Sequence, residues 1–434
     1  MSDSYASWGR FPDAPPARVE RLSWRDRLPH LDPPDGPVLP RGLGRSYGDV
    51  CLNEGGVLLD TTRLDRLLSF DRHAGVVRCE AGVSLADLLA VIVPAGWFLP
   101  VTPGTKWVTV AGAVANDVHG KNHHVAGTFG RHVRRLELVR SNGDRHELTP
   151  ADGLFGATVG GLGLTGLITW VEFGLQPIRS DRIEARHTPF RSLDEFLRAS
   201  DSAGARSPYV VAWVDAFKPE GKGVLMEGRH APAGALPAPG AKSRRPRLSL
   251  PFDGPGWALR RPTAAVFNAA YFARQARAGA FSCHYDPYFY PLDAIGHWNR
   301  AYGRRGFLQH QSVVPFVGAD APAARELLRH VAASGAASVV SVLKTFGQLE
   351  SPGVLSFPRP GVTLALDFAN RGDETIRLLR SLDDVVADAG GRVYPAKDAC
   401  MTAANFRTFY PEWEAFARHV DPAFSSSFWR RVTT

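Results

Sequence analysis

The chain predicts a two-domain α+β protein, and three observations carry that reading. Its 434 residues, 44% of them hydrophobic, are too many for one ordinary core. The first third mixes short strand-like and helix-like stretches without a regular βαβ repeat. From Ile178 onward the pattern instead suits an antiparallel sheet with helices on one face.

Taken in order, 57–60 and 75–83 read as strands. Ser84, with Asp87 three residues on, opens a helix that Pro94 closes, because the serine hydroxyl can take a first-turn N–H. Segments 135–140 and 145–148 flank Ser141-Asn142-Gly143-Asp144, whose Asn-Gly pair signals a hairpin. Segment 167–175 is a further strand. In the second region Ser192 with Glu195 marks a helix start, and 209–214 is a strand rich in β-branched and aromatic residues. Residues 229–256, rich in Pro, Gly, Ala and Arg, read as a poorly ordered, mobile loop. Strands at 306–316, 338–344 and 362–368 and helices at 322–333 and 374–389 follow, and Gly390-Gly391 stops the last helix. The final segment from Arg392 carries Tyr394 and Lys397.

Composition narrows the function. Residues 1–10 are polar and no run of 18 apolar residues occurs, so the expectation is a cytoplasmic protein, at most peripheral at the plasma membrane. Cys51, Cys79, Cys283 and Cys400 lie far apart with no Cys-x-x-Cys pair, and are expected to be free thiols. The net charge of +8 is mostly arginine and is scattered, which argues against a nucleic-acid stripe. An anionic substrate, or loose association with an anionic membrane, accounts for it equally. Only seven lysines occur, so one set among glycines and polar residues draws a functional reading.

Glycine-rich stretches recur: Arg-Gly-Leu-Gly-Arg-Ser-Tyr-Gly-Asp at 41–49, Pro-Gly-Thr at 103–105, Val-Ala-Gly-Ala at 110–113 and Gly-Gly-Leu-Gly-Leu-Thr-Gly at 160–166. Glycine reaches φ > 0 and bares its N–H, and successive bare amides make a concavity for anions. A large nucleotide cofactor is expected. Gly161, Gly163 and Gly166 also match G-x-G-x-x-G, but a strand follows where a dinucleotide fingerprint needs a helix. That run alone is either a close-packing turn or part of a nucleotide site. The cluster His119-Gly-Lys-Asn-His-His124 tempts a metal reading, yet Gly120 opposes a helix and no acid or cysteine set completes the ligands. No metal is expected; a surface polar loop, or imidazole and ammonium facing an oxygen-rich substrate, remain. Lys397 alone reads as a surface partner of Asp398.

These runs, with Trp-Asn-Arg-Ala-Tyr-Gly at 298–303, Gly-Phe-Leu-Gln-His-Gln at 306–311 and Tyr-Pro-Ala-Lys-Asp at 394–398, closely resemble the decaprenylphosphoryl-β-D-ribose 2′-oxidase family, of the vanillyl-alcohol-oxidase type. The likeness spans nearly the whole chain in order. It implies a PCMH-type FAD-binding domain from 1–180 completed by 392–434, and an antiparallel-sheet substrate domain from 181–391. It implies noncovalent FAD, since relatives with covalent flavin generally have a histidine where Arg45 stands.

By the same resemblance, FAD would be held by Arg41, Gly42, Leu43, Gly44, Arg45, Ser46, Tyr47, Gly48, Asp49 and Val50 in the first glycine run. Gly104, Thr109, Val110, Ala111, Gly112, Asn116, Asp117, Val118, His119, Ile168, Tyr394 and Lys397 would complete that set. Lys397 would stabilise negative charge on the flavin, while His119 and Tyr47 would orient the sugar hydroxyl. Lys121 would meet a substrate phosphate, with Trp213, Gln309, Gln311, Lys344, Thr363 and Ala365 lining the substrate pocket.

The implied reaction oxidises a secondary sugar hydroxyl to a ketone, the first half of a ribose-to-arabinose epimerisation that an NAD(P)H-dependent reductase partner would finish. Oxidation of a soluble sugar or nucleoside, and a catalytically silent flavin-binding scaffold, are the other readings. Departures fall near the pocket. Ala365 stands where mycobacterial members have cysteine, Thr363 replaces an asparagine, and Phe289 and Tyr290 differ from the usual aromatic-His pair.

Overall fold

The structure is a computed structural model, and it describes residues 5–31, 36–238, 246, 248–255, 259–336 and 338–434. Strands β1 (Arg18–Arg21), β2 (Val38–Arg41) and β3 (Val57–Asp60) make a parallel sheet in the order β1-β3-β2. The chain then lays down β4 (Leu67–Asp71), β5 (Val76–Glu80), β6 (Trp97–Phe98), β7 (Val133–Val139), β8 (Arg145–Leu148), β9 (Leu167–Gly174) and β10 (Gln176–Pro177). Five of these form an antiparallel sheet, β4-β5-β9-β7-β8, and β6 pairs with β10. The helix Leu85–Ile92 is capped as its sequence predicts, Ser84 Oγ accepting from Asp87 N at 3.1 Å. Its buried leucines and those of β7 share one core with Val110, Ala113 and Val114 of the helix Val110–Ala115.

The second half contributes β11 (Arg182–Phe190), β12 (Tyr209–Val214), β13 (Gly223–His230), β14 (Leu248–Ser249), β15 (Ala280–His284), β16 (Ile295–Gly296), β17 (Phe307–Val314), β18 (Ser341–Phe346), β19 (Gly361–Ala369) and β20 (Arg392–Val393). Eight of them build an antiparallel sheet ordered β15-β11-β13-β12-β18-β19-β17-β20. Side chains alternate across a strand, so Val210, Ala212 and Val214 of β12 bury on one face. Helices Leu193–Gly204, Pro322–Ser334 and Asp373–Asp388 supply Phe196, Leu327 and Leu379 to that core.

The expectation of helices on one face only needs correction. Trp213 points the other way, and its ring meets Tyr271 of the helix Arg261–Ala276 at 5.0 Å. The loop expected at 229–256 is interrupted as well. Arg229 and His230 end β13, and Leu248–Ser249 pairs with Ile295–Gly296. Residues 239–245, 247 and 256 of that stretch lie outside the described residues.

The C-terminal tail returns to the first sheet. Val38 N donates to Ala423 O, Ser425 N to Val38 O, and Arg431 pairs with both Asp49 and Asp398. Residues near opposite ends of the sequence are thereby brought together.

Candidate active site

Loop 41–51 lies between the N-terminal segment and the tail. Trp8 N donates to Ser46 O, Gly9 N to Tyr47 O, and Tyr47 N to Ala396 O. A Cβ at Gly48 would overlap the Asp398 carbonyl, so the glycine is what allows the tail to dock. Gly42 rests in the same way on Thr109, whose hydroxyl accepts from Gly112 N at 3.1 Å and caps the helix Val110–Ala115. The glycine run at 160–166 hydrogen-bonds to that helix through Gly160 N to Val114 O and Leu162 N to Ala115 O, then enters β9. It is a turn feeding a strand.

These elements and the large sheet enclose a cavity of about 540 Å³. From the first glycine run, Arg41, Gly42, Leu43, Gly44, Arg45, Ser46, Tyr47 and Val50 line it, as do Gly104, Thr109, Ala111, Gly112, Asn116, Val118, His119, Ile168, Tyr394 and Lys397. The expected substrate residues Lys121, Gln309, Gln311, Lys344, Thr363 and Ala365 line it too.

Five expected residues stand outside the lining. Gly48 supports the tail, Asp49 pairs with Arg431, and Val110 is buried in the core. Asp117 accepts from Gly130 N at 2.9 Å and from Ser356 Oγ at 2.5 Å, and burial pushes it up to about 6. Trp213 lies beneath the helix Arg261–Ala276, its indole N–H donating to Val339 O at 3.2 Å.

Lys397 is not the surface partner of Asp398, because Arg431 holds that carboxylate. Its Nζ sits 3.6 Å from the centre of the Tyr47 ring, and the side chain is half-buried on the cavity wall. Burial drives Lys397 below the usual lysine range, while the buried Asp367 opposes that fall. Asp367 is itself raised by burial, and Gln309 donates to it. Tyr47 is held well above its ordinary value by burial and then by Asp367, so it stays a neutral phenol.

His119 is the histidine of its cluster that lines the cavity. Its Nε2 lies 2.9 Å from Gln311 Nε2, and its Nδ1 is buried without a protein partner. Burial, then Lys344, His123 and Lys397, push it well below 6.5, so the ring is neutral. His123 instead packs on Phe346 with its Nδ1 accepting from Gly347 N, and His124 reaches Ser207 O. Among the described residues no three His, Cys, Asp or Glu side chains gather as metal ligands.

Two more cations complete the site. Lys121 Nζ donates to Tyr288 O at 2.6 Å, and burial brings it down to about 8. Lys344 Nζ reaches Gly120 O at 3.3 Å, and burial, then Lys121 and Lys397, bring it to about 7. Among the described lining residues five are lysines or arginines, Arg41, Arg45, Lys121, Lys344 and Lys397, and one is a carboxylate, Asp293, which already accepts from Thr105 Oγ1 and Lys106 N. Such an excess of positive charge on the wall of a partly enclosed cavity calls for ligands that bring negative charge.

Trp8, Thr102, Asp293 and His297 also line the cavity and carry no motif that sequence reasoning could have used. Trp8 stacks under Arg45, 4.0 Å from its guanidinium.

A dinucleotide fits this arrangement. Gly104 faces open space where a Cβ would meet nothing within 4 Å, and Arg41 Nε, Asn116 Oδ1 and His119 Nδ1 are buried without partners along the wall. Fold and site together define an FAD-dependent oxidoreductase, and residues 34–149 match the model of the FAD binding domain. The chain is 38% identical over 412 residues, 91% of its length and 89% of the relative's, to decaprenylphosphoryl-β-D-ribose oxidase of Mycolicibacterium smegmatis. It belongs to that oxidase's family. It is also 34% identical over 81% of its length to the whole of an uncharacterized protein in the mprA 5′ region of Streptomyces coelicolor. Alditol oxidase of a Streptomyces species matches 31% of this chain and 32% of its own, at 32% identity.

Proposed function

We propose that this enzyme oxidises the 2′-hydroxyl of a polyprenylphosphoryl ribose, of the decaprenylphosphoryl-β-D-ribose type, to the ketone. The observation that carries the reading is the lysine cluster, since among the described residues no carboxylate is set against Lys121 or Lys344, and a phosphodiester would neutralise them. Bound FAD supplies the hydride acceptor. The first glycine run, Gly104, Thr109, Ala111, Gly112, Asn116, Ile168 and Tyr394 would hold it noncovalently. Lys397, seated on Tyr47 and opposed by Asp367, would place its ammonium where negative charge develops.

His119 orients the sugar hydroxyl through Nδ1, the atom its protein neighbours leave free, and Gln311 on Nε2 fixes the ring. Residues 1–180 with 392–434 form the FAD-binding unit in this account, and 181–391 the substrate unit. A ketone at C2 is one reduction from the arabinose epimer, so an NAD(P)H-dependent reductase completes the sequence.

The test is product analysis. With a short-chain phosphoribosyl lipid and an electron acceptor, the product should be lighter by two hydrogens, with a carbonyl at C2. Conversion of free ribose or a nucleoside at equal efficiency would move the assignment to a soluble substrate.

A further inference from the structure

The apolar surface of this molecule is unevenly distributed. Leu248, Phe252, Val266, Phe267, Phe281 and Ile295 are all large, exposed and drawn from one stretch of the chain, with Phe252 81% and Val266 71% accessible. In the sixteen-residue helix Arg261–Ala276 only Ala264 and Asn268 are buried, leaving Ala265, Val266, Phe267, Ala269 and Ala270 facing outward. A helix on a soluble surface normally turns such residues inward. Contiguous exposed apolar surface marks an interaction face.

The helix is firmly seated in that orientation. Asn268 Nδ2 donates to Asp215 Oδ1 at 2.8 Å, and Phe267 stacks on Tyr271, which packs on Trp213. Trp213 pairs across the sheet with Val342, a residue of the cavity wall. On another side of the cavity, Ile295 lines the wall and pairs with Leu248. The helix and the Leu248–Ile295 pair therefore border the cavity that would receive the substrate.

The charge on the helix and at its ends has one sign. Arg260, Arg261, Arg274 and Arg277 are exposed, and the helix holds no acidic residue. The carboxylates in this stretch point elsewhere: Asp253 pairs with Arg10, Asp286 with Lys106, and Asp293 binds Thr105. Apolar side chains between arginines match an anionic bilayer, where the former enter the acyl boundary and the latter meet phosphates.

We propose that the helix Arg261–Ala276, with Leu248, Phe252 and Ile295, forms a docking face for an anionic phospholipid surface, which brings the cavity to the headgroup layer. This rests on the reading of the substrate as a lipid-linked sugar: the polyprenyl tail stays in the bilayer while the phosphoribosyl head enters the cavity.

The test is sedimentation of the flavin-loaded enzyme with vesicles of phosphatidylglycerol and phosphatidylcholine, or of phosphatidylcholine alone. The wild type should bind the anionic vesicles at least about tenfold more tightly. The triple variant Phe252→Ser, Val266→Ser, Phe267→Ser should lose on the order of 100-fold in binding, with its flavin spectrum and its turnover of a short-chain soluble substrate intact. Equal binding of wild type and variant would overturn the proposal. So would a lipid-free dimer in analytical ultracentrifugation that the variant dissociates, since the face would then be covered by a second copy. Turnover of the short-chain substrate without vesicle binding discards the docking face and leaves the substrate reading. Vesicle binding without turnover keeps the face and discards the substrate.

Discussion

Replacing Lys344 by Met keeps the length of the side chain and removes its charge. In the substrate-free enzyme the ammonium is buried with Lys121 and Lys397 nearby, and its folded pKa of about 7 lies below the 10.5 of free lysine. Between those values the unfolded chain carries a proton that the folded chain does not. Wild-type stability therefore rises as pH climbs from 7 toward 10.5, and this contribution levels off above that. At 1.36 kcal/mol per pH unit the penalty near pH 7 is about 4 kcal/mol. Lys344→Met escapes it and should be more stable than wild type at pH 7 by a few kcal/mol, the advantage fading toward pH 10.5. Binding moves the other way. Loss of the proposed charged hydrogen bond to a substrate phosphate would cost about 1.5–3 kcal/mol, so KM should rise roughly 10- to 150-fold with kcat less affected. Urea unfolding across that pH range and steady-state kinetics provide the two readouts. A variant less stable than wild type at pH 7, with unchanged KM, would refute the reasoning.

Three further outcomes are expected. Lys397→Ala should slow substrate-driven flavin bleaching by about 10²- to 10³-fold, measured anaerobically in a single turnover; an unchanged rate would remove Lys397 from the chemistry. The His119 ring resonances should stay flat between about pH 5.5 and 8, because burial and three basic neighbours keep it neutral, whereas a midpoint near 6.5 would contradict that environment. Ala365 lines the cavity, so Ala365→Cys should gain a label at that position from a thiol reagent directed to the substrate pocket, read by peptide mass, while the wild type gains none there.

Local chemistry made part of this molecule legible in advance. Ser84 and Ser192 cap the helices they were expected to open, Asn142-Gly143 turns a hairpin between β7 and β8, and β12 begins and ends where its β-branched run does. Edges were less exact: β18 begins at Ser341, three residues later than expected. The helix Arg261–Ala276 escaped because its apolar side chains face outward, so an inward stripe was not there to read. β11 escaped too, since charged residues are interspersed along a strand that is paired on both sides.

The site divides in the same way. Glycine runs advertise themselves by composition, but the meeting of Lys397 with Tyr47 depends on a tail that folds back across the whole chain, and only the family resemblance anticipated it. Asp367 and Asp293 are single carboxylates without a motif, and their importance comes from burial and from the cations around them.

On the proposed function, the positive charge of the cavity selects a phosphorylated sugar for oxidation. Anaerobic titration of the flavin-loaded enzyme with a short-chain phosphoribosyl lipid, and with its uncharged ether analogue, addresses that directly. Flavin absorbance should be lost with the phosphodiester and change little with the ether at the same concentration. Equal bleaching by both would contradict it.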